Sequence, residues 1–151
     1  MKSRAIAISF ISILLWTFTS MPAGAMDSVE LFVVARGAPE TIIDLGEKGP
    51  SAGDMNIWSQ PVFDGREKEQ VGTSSGYCVR VSATEPVLQC SFTLALKEGS
   101  VFISSSRKGK TGPFNGAVTG GTGEYAGARG EVKYYPNEDF TKWSYSARLT
   151  K

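Results

Sequence analysis

Histidine is absent from the 151-residue sequence. This absence excludes Ser-His-Asp triads, histidine general bases and the usual imidazole ligands of zinc. Nucleotide-binding motifs are missing as well, because Gly120-Gly121-Thr122-Gly123 lacks a βαβ context and Gly109-Lys110-Thr111 lacks the upstream glycine of a P-loop. Both segments are predicted to be turns. We therefore expect no metal and no cofactor.

Helical periodicity is the second thing that the sequence lacks. No window after residue 25 keeps apolar residues at helical spacing for three turns. β-Branched and aromatic runs separated by Gly, Pro and Asp recur instead, which is typical of strands. The predicted strands cover residues 28–36, 56–63, 70–82, 87–97, 100–106, 114–120, 128–135 and 140–149. The long segment 37–53 is predicted to be irregular.

About eight sequential antiparallel strands in one small domain favour an up-and-down barrel, because closure removes the exposed edges of the sheet. The predicted fold class is therefore all-β, an eight-stranded antiparallel barrel. A two-sheet sandwich is the alternative. A barrel of this size is either filled by its own side chains or holds one small ligand.

The N-terminal segment has the features of a signal peptide. Lys2 and Arg4 precede an apolar run, and Ala23-Gly24-Ala25 supplies the small residues of a cleavage site. We expect residues 1–25 to be removed and residues 26–151 to form one secreted or periplasmic domain. The apolar run is short for a membrane span and no second one follows, so no membrane association is expected after cleavage.

Charge gives little information about partners. The formal net charge is +1 and the basic residues are scattered, so nucleic acid is not an expected partner. The one basic cluster, residues 107–110, is predicted to be a solvated hairpin tip. Glu30 lies in an otherwise apolar strand face, where pairing with Arg36 on the same face or burial without a partner would mark a candidate site. The alternative is a surface position near the barrel mouth. Phe32 and Val34, on the same face, indicate either an oligomer contact or packing against the long connection.

The two cysteines predict a covalent cross-link. Cys78 and Cys90 lie six residues on either side of Thr84, around which the hairpin is predicted to turn. Directly opposite residues on adjacent strands approach to roughly 4.5–5.5 Å between Cβ atoms. In an exported chain, such a pair favours a disulfide over two free thiols. The same register places Arg80 on the face of Cys90, which requires a bulge or a position near the barrel mouth.

A glycine-rich run resembles a known family. Residues 118–132, VTGGTGEYAGARGEV, resemble the signature shared by dirigent proteins and allene oxide cyclases. Gly53-Asp54-Met55, Val71-Gly72 and Ser75-Gly76-Tyr77-Cys78-Val79 are similar to the corresponding stretch of plant allene oxide cyclases. The resemblance implies an eight-stranded barrel with a central pocket, commonly assembled as a trimer.

The resemblance also implies site residues. In allene oxide cyclases, a Glu in the pocket polarises the substrate, a Pro and an Asn position a water, and a Cys shapes the substrate sterically. Gapless spacing puts Glu30, Pro39 and Cys78 at three of these positions, and Gln60 stands where the family has Asn. If the chain is an enzyme, the resemblance makes it an isomerase that closes a ring.

Three functions fit the sequence. The first is a barrel that binds a small apolar or amphipathic molecule and guides its cyclisation or isomerisation. The second is a true allene-oxide-cyclase-like isomerase, or a dirigent-like protein that directs stereochemistry. The third is a non-catalytic structural or interaction barrel filled by its own aromatic residues. A ligand-sized cavity separates the first two from the third.

Overall fold

The computed structural model describes residues 28–37 and 40–151. The predicted signal peptide lies outside these residues. Within them, nine strands and one short 3-10 turn, Gly123–Tyr125, follow each other along the chain. The strands are β1 Ser28–Arg36, β2 Thr41–Ile43, β3 Met55–Asp64, β4 Gln70–Arg80, β5 Val87–Leu96, β6 Gly99–Lys108, β7 Phe114–Gly121, β8 Arg129–Pro136 and β9 Lys142–Thr150. No helix of this part of the chain is both long enough and apolar enough to span a membrane.

Eight of these strands form a closed antiparallel barrel, which confirms the predicted fold class. The sheet order is β1-β9-β8-β7-β6-β5-β4-β3, and β1 closes the ring by pairing with β3 from Val33↔Asp64 to Ala35↔Val62. The short strand β2 pairs with the other half of β3, from Thr41↔Ile57 to Ile43↔Met55. The prediction that residues 37–53 are wholly irregular is therefore wrong, because the free half of β3 offers an edge to which β2 adds.

The inward faces of the strands build one core along the barrel axis. On β9, Trp143, Tyr145, Ala147 and Leu149 alternate with more polar residues, face the inside and are all buried. The end of the barrel near Leu149 is filled by aliphatic side chains, among them Leu94 and Val101. The opposite end carries the aromatic and polar inward residues and forms the mouth.

The outer face of β1 is partly covered by the turn that follows β3. Gly65 lies against the Phe32 ring, and Arg36 Nε lies 3.0 Å from Glu67 Oε2 in that turn. Val34 is buried, whereas Phe32 remains about half exposed, at 48%. The β3–β4 turn therefore packs on part of this face, while an oligomer contact and packing against the long connection stay predictions.

The Cys78–Cys90 disulfide is present, as predicted, between directly opposite residues of β4 and β5. Arg80 lies at the mouth end of β4, where its Nε is 3.9 Å from Asp54 Oδ2. Of the two explanations for its inward position, the structure shows the one near the barrel mouth. Gly76 on the same strand leaves room for Phe92, because a Cβ there would lie 2.3 Å from the Phe92 Cβ.

Candidate functional site

A cavity of about 810 Å³ lies at the barrel mouth, and we call it the mouth cavity. Apolar side chains line part of it, namely Ile42, Leu88, Phe140 and Trp143. Charged side chains line another part, namely the acidic residues Glu40, Asp44, Asp54 and Asp139 and the basic residues Arg80, Arg107 and Lys110. The volume falls within the range of roughly 300–1,000 Å³ that small-molecule sites occupy.

The segment 44–54 forms one wall of the mouth cavity and is tied down through Asp54. The Asp54 carboxylate accepts hydrogen bonds from the backbone N–H of Ser51 at 2.7 Å and of Leu45 at 3.0 Å. These backbone hydrogen bonds, with Arg80 nearby, lower the pKa of the Asp54 carboxyl. A charged Asp54 at neutral pH thus holds the wall against β3 and β4.

Arg107 forms the base of the mouth cavity together with Trp143. Its guanidinium carbon lies 5.3 Å from the centre of the Trp143 ring and 5.4 Å from that of Phe114. The side chain is only 7% exposed, and its Nε donates no hydrogen bond. Cation–π contacts with the two rings therefore hold the guanidinium in place.

The prediction of a solvated hairpin tip at residues 107–110 is wrong for Arg107. Strand β6 continues to Lys108, two residues beyond its predicted end. The alternation that buries Val101, Ile103 and Ser105 therefore also turns Arg107 inward, while Lys108 stays exposed. Extending the alternation of inward residues from Ser105 to Arg107 would have predicted from the sequence that Arg107 faces inward.

Glu40 stands between the mouth cavity and a second, inner cavity. Its carboxylate oxygen Oε2 accepts a hydrogen bond of 2.6 Å from Asn56 Nδ2 on β3. Glu40, Arg107 and Trp143 line both cavities and so form the boundary between them. One carboxylate and one guanidinium are thus available to a molecule seated on Trp143.

The inner cavity is surrounded by aromatic rings and has little free space. Its volume is about 10 Å³, roughly what a single water molecule requires. Phe92 contacts three rings of the surrounding wall, with centroid distances of 5.9 Å to Trp58, 5.3 Å to Tyr134 and 5.8 Å to Tyr145. The rings fill this part of the lumen, so the inner cavity has no room for a ligand, whereas the mouth cavity above it is large enough for one.

Two hydroxyl pairs lie in this aromatic wall. Ser105 Oγ and Tyr134 Oη share a hydrogen bond of 2.6 Å, and Ser74 Oγ lies 3.4 Å from Tyr145 Oη. Trp58 Nε1 also donates to Ser74 Oγ, at 3.2 Å. Burial raises the pKa of both tyrosines, so both hydroxyls keep their protons at neutral pH.

The four residues implied by the family resemblance do not come together. Gln60 and Cys78 both face the inner cavity and are buried at 3% and 2% exposure. Glu30 instead lies on the outer face, where its Oε1 is 3.1 Å from Arg148 Nη2 on β9 and its side chain is 75% exposed. The prediction that Glu30 shares a hollow with Cys78, or pairs with Arg36, is therefore wrong. Pro39 lies outside the described residues, and the catalytic roles of Pro39, Gln60 and Cys78 stay predictions.

Candidate metal ligands are scattered in the described part of the chain. No group of three or more Cys, Asp or Glu side chains is placed there to hold an ion. The acidic residues of the mouth cavity are instead engaged one by one, as with Glu40 and Asn56 or Asp54 and Arg80.

Comparison with solved structures places the barrel among known proteins. A pyocyanin demethylase is 31% identical, with a TM-score of 0.71 over 81% of this chain and 100% of the demethylase. A pterocarpan synthase dirigent protein is 20% identical, with a TM-score of 0.68 over 89% and 97% of the two chains. A Diels-Alderase from Streptomyces koyangensis is 13% identical, with a TM-score of 0.65 over 85% and 70%.

Neither a family model nor a curated protein sequence matches the chain. The structural comparison, together with the closed eight-stranded sheet, defines a barrel of the allene oxide cyclase and dirigent type, as the sequence resemblance implied. Within that class, the chain belongs to the family of the pyocyanin demethylase.

Proposed function

We propose that this protein binds a flat aromatic molecule in its mouth cavity and removes a methyl group from a ring nitrogen of that molecule. The observation that carries the proposal is the aromatic base of a cavity of about 810 Å³, in a chain that is 31% identical to a pyocyanin demethylase over that protein's whole length. Pyocyanin is a planar N-methylated phenazine, and planar rings suit an indole-lined site.

The size of the cavity and the character of its base support this proposal. Small-molecule sites are mostly apolar, with a few polar groups that fix orientation. The Trp143 ring offers a stacking face, and Phe140 lies beside it with 6.4 Å between ring centroids. Aromatic pairs with centroids at such distances are favourable beyond their buried area.

The charges at the base also suit an N-methylated aromatic ring. An aromatic ring nitrogen that carries a methyl group has three substituents and forms four bonds, so it is positively charged. Glu40 places a carboxylate at the boundary of the mouth cavity, where it can stabilise that charge. The protonated hydroxyls of Tyr134 and Tyr145 lie beneath it as potential proton donors.

Incubation of the purified protein with pyocyanin, followed by mass spectrometry of the small molecules, tests the activity. The balanced reaction uses one water molecule: the methyl carbon leaves as formaldehyde with the oxygen of water, and the oxidised ring takes up the two electrons and the protons. We therefore expect formaldehyde together with a reduced ring product in which hydrogen replaces the methyl group. Replacing Trp143 by leucine should reduce product formation about tenfold or more, since the stacking face is lost. Phe102→Leu, on the outer face of the barrel, is the matched aromatic control and should retain activity. Demethylation that survives Trp143→Leu unchanged would rule out the mouth cavity as the site.

Ring closure or isomerisation is the second candidate function. It is supported by Gln60 and Cys78, which face the same inner cavity, and by the fold shared with a Diels-Alderase. An isomerase leaves the mass of its substrate unchanged, so the same mass spectrometry distinguishes it from a demethylase. The small volume of the inner cavity makes this function the less well supported of the two.

The proposed setting of this function is outside the cytoplasm. The signal-peptide pattern of residues 1–25 and the Cys78–Cys90 disulfide support export to the periplasm or the medium. The exposed aromatic residues Phe32, Tyr77 and Phe102 on the outer face support assembly with further copies, as a trimer. Native mass spectrometry of protein purified from the medium or periplasm would report cleavage and copy number together.

A further inference from the structure

Arg107 is a buried cation without a charged partner among the described residues. The other buried or half-buried arginines of the barrel have one, since Arg36 pairs with Glu67 and Arg80 with Asp54. Between residues 28–37 and 40–151, no carboxylate lies within 4.0 Å of the Arg107 guanidinium nitrogens. A buried charge that lacks both an ion pair and a full set of hydrogen bonds is costly. This unpaired buried charge lies at the base of the mouth cavity, which is large enough for a ligand.

We propose that Arg107 binds a carboxylate of the ligand, so that the molecule in the mouth cavity is a flat aromatic acid. The proposal rests on the proposed function, because it places the ligand in the same cavity and against the same indole. It goes further by naming the group that the protein recognises and the residue that recognises it.

The geometry around Arg107 fits this role. Phe114 and Trp143 contact the guanidinium at 5.4 and 5.3 Å, and the Nε atom is left without a hydrogen-bond acceptor. A guanidinium presents its donors as a planar fork that matches a carboxylate with two parallel hydrogen bonds. A planar ring that stacks on Trp143 therefore brings an attached carboxylate next to Arg107.

Recognition by charge predicts a measurable preference. A hydrogen bond to a charged group contributes about 1.5–3 kcal/mol, which corresponds to about 10-fold to 100-fold in affinity. An aromatic acid should therefore bind more tightly than the same ring without its carboxylate. Glu40, on the same boundary, suits a positively charged N-methyl group elsewhere on the ring and sets the orientation.

The experiment compares phenazine-1-carboxylate with phenazine, using quenching of tryptophan fluorescence as the binding signal. We expect the wild-type protein to bind the carboxylate at least tenfold more tightly. Arg107→Met should remove this preference, measured as the ratio of the two affinities. Arg107→Lys keeps the charge without the fork and should retain part of the preference. Lys108→Met, one residue further on the same strand but on the outer face, is the matched control and should bind both compounds as the wild type does.

Each outcome bears on the proposal separately from the proposed function. If the wild type shows no preference, or if Arg107→Met retains it, Arg107 is not the anion site, although phenazine binding still supports the proposed function. If Arg107→Met does not fold, Arg107→Lys is the test: a reduced preference for the carboxylate supports the anion site, and an unchanged preference contradicts it. If neither phenazine-1-carboxylate nor phenazine binds to the wild type, the proposed function fails. Binding of benzoate then tests the anion site alone. Benzoate that binds the wild type and not Arg107→Met supports the proposal, whereas benzoate that binds neither overturns it.

Discussion

Arg107 packs over the ring of Trp143, with 5.3 Å between the guanidinium carbon and the ring centre, where the mouth cavity meets the inner cavity. Each residue restricts the access of other molecules to its partner. The indole shields the guanidinium from water, and the guanidinium leaves one face of the indole at the cavity. Stability and binding should therefore respond in opposite directions when this contact is changed.

Replacing Arg107 by methionine should leave the free energy of unfolding unchanged or raise it by up to about 2 kcal/mol. Burial of a charge without an ion pair costs several kcal/mol, whereas each cation–π contact returns about 0.5–2 kcal/mol. Urea denaturation without ligand measures the change, with Lys108→Met as the control on the outer face. A loss greater than about 2 kcal/mol would mean that the guanidinium has structural partners that outweigh its burial.

Removal of the disulfide should destabilise the barrel. The bond closes a loop with a sequence separation of 12 residues, for which the chain-entropy model gives about 3 kcal/mol. The double variant Cys78→Ser/Cys90→Ser should therefore lose about 2–3 kcal/mol in urea denaturation. A reducing agent should lower the stability of the wild type to a similar extent and have no effect on the double variant. An equal response of both proteins to the reductant would contradict this account.

The two glutamates Glu30 and Glu40 should differ in their effect on ligand binding. Glu30→Gln removes one partner of an exposed ion pair with Arg148, so the melting temperature should change by no more than about 3 °C and phenazine binding should not change. Glu40→Gln, at the boundary of the mouth cavity, should weaken binding of an N-methylphenazinium cation. Fluorescence titration measures both. A tenfold loss of turnover in Glu30→Gln would instead return that residue to the candidate site.

The stability of the barrel should fall at alkaline pH because of its buried tyrosines. Burial raises the pKa of Tyr145 and Tyr134 above the ordinary value of 10.0. The folded protein then holds a proton that the unfolded chain has already lost, so stability is complete below pH 10 and declines as the pH rises beyond it. Urea denaturation between pH 8 and pH 11 measures this slope. Tyr145→Phe should show a shallower decline, and an identical slope would exclude Tyr145 as the cause.

Much of the fold could be predicted because, in a strand with one buried face, every second residue is apolar and points to the core. The strand that carries Trp143 and Tyr145 was predicted at residues 140–149, and the spacing of Cys78 and Cys90 about Thr84 predicted their pairing. The prediction failed where a strand is added or extended by its neighbours. Strand β2 forms only because β3 offers a free edge, and β6 reaches Arg107 because β5 continues alongside it.

The candidate site depended much more on tertiary structure. Glu30 resembles a pocket residue by position in the sequence, yet the pleat of β1 turns it outward to Arg148 on β9. Glu40 had no sequence signal, since it lies in an irregular segment that is held over the mouth by its bond to Asn56. Which rings fill the lumen, and hence where space for a ligand remains, follows from packing across the barrel.

The sequence by itself predicted the strands, their order and the disulfide, because these depend on short-range alternation and on the spacing between neighbours in the chain. The tertiary structure decided between a barrel and a sandwich, since closure rests on the pairing of β1 with β9 and β3. Only the tertiary structure decided which charged groups meet at the mouth. Glu40 and Arg107 are 67 positions apart in the chain and lie on the same cavity because the closed sheet brings the mouth ends of distant strands to one rim.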